Sequence, residues 1–189
     1  MLDPCEIHIR PPDWLPDFLA RQPARYPSDE AAMAVAIALA EENVRRGTGG
    51  PFGALVLASR TGERVAAGVN LVLASRCSIA HAEMVALASA QQALGDHDLG
   101  AAVPGGCTLV SSAEPCAMCM GAIPWSGVTR LVCGARDADV RRAGFDEGDK
   151  REDWPAAFAR RNIAVIRDCQ RGRAAAVLQD YVRSGGPIY

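Results

Sequence analysis

His81, Glu83, Cys116 and Cys119 are the residues of this chain whose types and spacing point to chemistry. His81-Ala82-Glu83 and Pro115-Cys116-Ala117-Met118-Cys119 offer one imidazole and two thiolates, a donor set that suits a borderline-soft ion such as zinc. Three protein ligands rather than four leave one coordination position open, which belongs to a catalytic zinc rather than a structural one. Glu83 is the residue that a structural site has no use for. Beside an ion that lowers the pKa of its bound water towards about 7, such a carboxylate can take the water's proton and deliver it elsewhere. Two blander readings use the same residues. A lone C-x-x-C also serves as a redox dithiol, but that leaves Glu83 without a role. A closed structural site needs a fourth ligand, for which His8, His97, Cys77 and Cys107 are the available candidates.

The elements that must position these groups are readable from periodicity and punctuation. Ser28-Asp29-Glu30 caps a helix running to about Arg46, with Gly47 as its stop. Phe52 to Ser59 and Arg64 to Asn70 read as strands joined by the hairpin turn Arg60-Thr61-Gly62-Glu63. His81 to Leu94 has helical spacing and stops at Gly95. In mid-helix His81 and Glu83 would point nearly opposite ways, so the pair is expected in the first turn, facing a site beyond the helix end. Cys107 to Ser111 reads as a buried strand leading into the cysteine motif, at the start of another helix. There Pro115 suits the first turn, Cys116 and Cys119 share a face, and the helix dipole favours thiolates. Further strands are expected at Val128 to Cys133 and Ile163 to Ile166. Short helices are expected near 137–143 and 153–161, and a closing helix near 173–183. A hairpin followed by strand–helix alternation gives one mixed sheet with helices on both faces.

Residues 1–27 hold six prolines with Trp14, Phe18 and Tyr26. They read either as a loosely ordered leader or as an arm docked through its aromatics. Residues 28–189 then form a single domain, in keeping with a length of 189 residues. A net charge of -2 argues against a large nucleic-acid surface, which shows itself as a basic excess. The longest apolar run, Ala31 to Ala40, is too short to span a bilayer. The opening Met1-Leu2-Asp3-Pro4 has neither the basic nor the apolar region of a secretory signal. A reducing cytoplasm is therefore expected, with Cys5, Cys77, Cys107, Cys133 and Cys169 as buried or incidental thiols.

H-x-E with P-C-x-x-C is the pattern of zinc deaminases of bases and nucleosides, in which the glutamate carries protons and does not touch the metal. From about Gly50 onward the chain resembles the cytidine deaminase superfamily, most closely its guanine deaminase branch. The resemblance rests on Gly50-Pro51-Phe52-Gly53-Ala54, Asn70, His81-Ala82-Glu83-Met84, the segment Glu114 to Ile123, Trp125, and Ala143-Gly144-Phe145-Asp146-Glu147-Gly148. It implies a three-layer α/β/α sandwich around a central five-stranded mixed sheet, a homodimer, and one zinc ion per subunit held by His81, Cys116 and Cys119. Glu83 would be the proton shuttle for attack of zinc-bound hydroxide at C2 of guanine, giving xanthine and ammonia. Asn70 would hydrogen-bond the base, beside Ala82 of the histidine motif. Phe52 and Trp125 would line the pocket. Glu147, ahead of Asp146, would approach the purine, and Tyr189 on the tail 185–189 would close a lid.

Guanine presents two donors beside the attacked carbon, the ring N1–H and the amino group. A carboxylate accepts both, whereas adenine has no N1–H to offer. An acid beyond Glu83 therefore favours guanine. Residues 146–150 also read as a solvated charged loop, Trp125 as a core or interface aromatic, and Tyr189 as a frayed terminus. The rival substrates are adenosine in tRNA, through Cys119-Met120-Gly121-Ala122 and Gly134-Ala135-Arg136-Asp137, and small aminotriazines, pterins or cytosine-type bases. A non-catalytic, zinc-folded binding module is the reading outside enzymes, and Glu83 is the residue it does not need.

Overall fold

The structure, a computed structural model, describes residues 7–189, so Cys5 lies outside it. Five strands form one sheet in the order β2-β1-β3-β4-β5. They are β1 (Gly53–Ala58), β2 (Arg64–Val69), β3 (Cys107–Ala113), β4 (Arg130–Ala135) and β5 (Ala164–Ile166). The β1–β2 and β1–β3 pairs are antiparallel, and the β3–β4 and β4–β5 pairs are parallel. The sheet is therefore mixed, with helices on both faces.

Alternation along the strands divides the core in two. Leu55, Leu57, Val110 and Val132 pack with helices α2 (Asp29–Arg45) and α9 (Arg171–Arg183) on one face. Ala54, Val56, Leu109 and Leu131 pack with α4 (Ala82–Leu94) and α8 (Trp154–Ala159) on the other. The Ser28 hydroxyl caps α2 by accepting from the Ala31 N–H at 3.3 Å. Gly95, in the left-handed region at φ 68°, ends α4, a conformation that glycine adopts without steric cost. Close packing of α4 depends on Gly68 of β2: a Cβ there would lie 2.4 Å from the Ala82 carbonyl oxygen. That contact fixes the end of α4 that carries His81 and Glu83.

The proline-rich segment packs onto the domain. Trp14, Leu15, Phe18 and Tyr26 are buried in the same cluster as α2, and the Trp14 indole donates to Thr48 Oγ1 at 3.1 Å. Arg64, on the edge strand β2, donates to the carbonyls of Pro23 and Leu19 and to the Tyr26 hydroxyl. The segment thereby covers part of an edge that would otherwise expose unpaired backbone groups.

Three expectations shift in detail. The strand expected from Val128 begins at Arg130, because Val128 is buried in the approach to the ladder rather than paired within it. The apolar pattern reports burial, not pairing. Pro115 lies one residue before the N-cap of α6 (Ala117–Ala122), not within its first turn. The short helices α1 (Leu15–Ala20), α3 (Val72–Ser75) and α5 (Leu99–Ala102) are too brief for periodicity to reveal. No helix among the described residues is long and apolar enough to cross a membrane.

Candidate active site

Two helix beginnings converge on one point. His81 is the N-cap of α4 and Glu83 lies in its first turn; Cys116 is the N-cap of α6 and Cys119 lies three residues on. The ligand atoms of His81, Cys116 and Cys119 all fall within 4.8 Å of one another, with Cys116 Sγ 3.5 Å from His81 Nδ1. Tetrahedral zinc with bonds of ~2.0–2.3 Å separates its ligand atoms by roughly 3.3–3.8 Å, so the three donors fit the ion. The Cys119 thiol and His81 hold the Cys116 thiol down to about 4 against the opposing effect of burial. Cys119, sharing its proton with Cys116 and deeply buried, is pushed upward. One thiolate is thus ready and the second proton is the one a metal displaces. Among the described residues no fourth histidine, cysteine or acid joins this group.

Glu83 is buried beside the group, and its Oε1 accepts from the Ser111 hydroxyl at 3.2 Å. Burial, together with the neighbouring Cys116 thiolate, pushes its carboxyl upward, toward the range in which a carboxyl both takes and returns a proton. Ala82, between His81 and Glu83, is fully buried against β2.

A cavity of about 250 Å³ opens onto His81 and Glu83 and is lined also by Phe52, Asn70, Glu114, Phe145, Asp146 and Tyr189. This is at the small end for a ligand pocket and suits a small molecule. The Phe52 and Phe145 rings meet edge to face at 5.1 Å, and Phe145 meets Tyr189 in the same way at 5.6 Å. The Tyr189 hydroxyl donates to Asn70 Oδ1 at 2.6 Å, so the two residues meet at the cavity wall. Tyr181 secures that tail by donating to the Pro187 carbonyl at 2.8 Å. At Gly50 a Cβ would lie 2.0 Å from the Tyr189 hydroxyl; the tail closes because that position carries no side chain.

The acids of the 144–149 loop divide. Asp146 is exposed and lines the cavity, with its Oδ1 accepting from the Gly148 N–H at 2.8 Å. Glu147 does not line the cavity but is buried beside α6, its carbonyl accepting from the Ala117 N–H at 2.9 Å and its Oε2 from Lys150 at 2.7 Å. Burial pushes the Glu147 carboxyl up to about 7, with Lys150 pulling the other way. Trp125 stands apart from the expectation that it lines the pocket. It is 77% exposed and sits under the Arg161 guanidinium, outside this cavity, because the 3₁₀ turn Ile123–Ser126 aims it at solvent.

Three supporting residues escaped sequence reasoning. Ser111 orients Glu83. Glu114, buried just before the cysteine motif, accepts from the Asp137 N–H and from Arg167. Asn43 on α2 donates to the carbonyls of Gly50 and Asn70, both at 2.9 Å, tying together the two segments beneath Tyr189. No local signal marked them: Asn43 follows Glu41 and Glu42 near the end of α2, and Ser111 is one of two adjacent serines in β3.

A family model for the cytidine and deoxycytidylate deaminase zinc-binding region matches residues 27–135, more than half of the chain. The chain belongs to this family. Within the family, it is 40% identical over 112 residues to a guanine deaminase of Bacillus subtilis (strain 168), covering 59% of this chain and 67% of that one. A solved structure described as guanine deaminase from Nitrosomonas europaea superposes with a TM-score of 0.87 at 43% identity, covering 93% of this chain and 96% of the other. A structure of NE0047 in complex with 2,6-diaminopurine gives a TM-score of 0.90 at 43% identity, covering 97% and 96%. Membership accounts for the shared metal-binding core.

Proposed function

We propose that this chain hydrolyses guanine to xanthine and ammonia. The observation that carries the reading is a second buried carboxylate, Glu147, next to the metal-ligating helix and separate from the proton-carrying Glu83. The similarity to guanine deaminases and to a structure holding 2,6-diaminopurine supports the same substrate class.

His81, Cys116 and Cys119 would hold zinc, which would supply Lewis acidity and make an attacking water more acidic. The residues of the chain do the rest. Asn70 and Glu147 bind the base, with the Glu147 carboxylate accepting from N1–H and the amino group of guanine. Phe52 and Phe145 pack against the flat faces of the base, and Tyr189 excludes bulk water. Glu83 takes one proton from the attacking water and passes it to the ring nitrogen N3 beside C2; it then takes the remaining hydroxyl proton as the C2 carbonyl forms and delivers it to the amine as the C2–N bond breaks. The balance is one water consumed and one ammonia released.

Adenosine in tRNA fits less well. The net charge is -2, against the basic surface that phosphate binding requires, and Tyr189 covers the cavity. Trp125, exposed near the site, is read as an interface aromatic of a homodimer, and the free, mostly buried cysteines are read as belonging to the cytoplasm. Replacing Glu147 by Ala is expected to lower kcat/KM for guanine by about 100-fold or more, the cost of a charge-assisted recognition pair, with zinc content unchanged. Xanthine formation at the unsubstituted rate would return Glu147 to the status of a charged loop residue.

A further inference from the structure

Lys150 is a lysine in an unusual place. Its side chain is only 6% exposed, although lysine is almost never fully buried unless paired. Its ammonium meets three oxygens from three different segments: Glu147 Oε2 at 2.7 Å, the Pro115 carbonyl at 3.1 Å, and Asp137 Oδ1 in an ion pair at 2.5 Å. Of these contacts the first two are hydrogen bonds and the third is an ion pair without hydrogen-bond geometry. Pro115 is the residue before the ligand Cys116, Asp137 opens α7 (Asp137–Arg142), and Glu147 is the acid assigned to the base. The Lys150 head group is thus a point at which the segment before the metal helix, the recognition acid and α7 meet. Lys150 thus holds the Glu147 carboxylate through Oε2.

We infer that Lys150 is a positioning residue for the reaction: it fixes Glu147 relative to Cys116, so that an amidine-like N–H pair on the substrate meets a carboxylate already oriented beside the metal. The inference rests on the reading of Glu147 given under Proposed function. Orientation of this kind carries weight because a recognition carboxylate free to swing must be ordered again at each binding event. The ammonium also offsets the desolvation of a buried carboxylate, a cost that falls on any unpaired charge.

A residue that acts only through Glu147 has a distinctive signature in a double-mutant cycle. Lys150→Met is expected to reduce kcat/KM by ~10–100-fold, the range for a hydrogen bond to a charged group, with the larger part in KM and with zinc content unchanged. In the Glu147→Gln background the same substitution should cost almost nothing further. Additive losses would mean that Lys150 only supports the fold, and would overturn the inference. Lys150→Met also strands Asp137 Oδ1, which has no hydrogen-bond partner. If that variant does not fold, Lys150→Met with Asp137→Asn removes the stranded charge and carries the same cycle. The cycle is run on guanine and, should the unsubstituted chain leave guanine untouched, on the aminated heterocycle it does convert. Absence of guanine turnover overturns the function reading alone; additivity overturns the role of Lys150 alone.

Discussion

Replacing Glu83 by Gln is expected to abolish turnover while leaving zinc bound. The amide has nearly the volume of the acid and can still accept from the Ser111 hydroxyl that reaches Glu83 Oε1, so the pocket and the metal ligands keep their places. What it cannot do is receive a proton from water and return it to the base. A positioned general acid–base contributes about 10²–10⁴-fold, and here one carboxyl serves both transfers, so the loss belongs at the upper end. Ammonia release under substrate saturation, measured beside zinc content on the same sample, separates this outcome from metal loss. Deamination persisting in a zinc-loaded Glu83→Gln protein would mean that the proton passes through some other group. Loss of zinc along with activity would place Glu83 among the supports of the metal.

Replacing Cys119 by Ala is expected to have the second large effect, and a different one. Cys119 is fully buried and supplies one of the three donors gathered within 4.8 Å. Removing it leaves one imidazole and one thiolate, too few to hold the ion in a tetrahedral site. The affinity loss should exceed the ~10–100-fold that even an outer partner of a metal ligand costs, and activity should disappear with the metal. A ligand bound only to the folded state stabilises it by mass action. A chelator should therefore lower the unfolding temperature of the unsubstituted chain and leave that of Cys119→Ala almost unchanged. Equal chelator sensitivity in the two proteins would show that Cys119 is not a ligand. These two variants dissect the site: one removes proton transfer and keeps the metal, and the other removes the metal.

The parts of the fold and site legible in the sequence are those fixed by local rules. Cys116 and Cys119 at three-residue spacing must share a helical face, and His81 with Glu83 needs a helix start to face one site. Both motifs do begin helices. The hairpin at residues 60–63 and the stop at Gly95 follow from turn and cap chemistry in the same way. The illegible parts are those fixed by tertiary contact. The family resemblance implies Trp125 as a pocket aromatic, but the turn from Ile123 to Ser126 sends it outward. Lys150 reads as one charge in a charged loop, and only the folding of that loop against Pro115 and Asp137 makes it a buried cation. Ser111, Glu114 and Asn43 meet their partners across 28, 23 and 27 residues of chain, distances over which spacing carries no signal. Tyr189 is intermediate: the sequence places it last, but its hydrogen bond to Asn70 spans 119 residues.

The most direct test of the central reading is the product formed when zinc-loaded protein meets guanine, set beside adenine, cytosine, cytidine, ammeline and tRNA. The account predicts xanthine and ammonia in equal amounts from guanine, little from adenine, which lacks the N1–H that Glu147 accepts, and no inosine in tRNA. Guanine recovered unchanged by a protein with zinc bound, together with ammonia released from tRNA or another member of the panel, would contradict it.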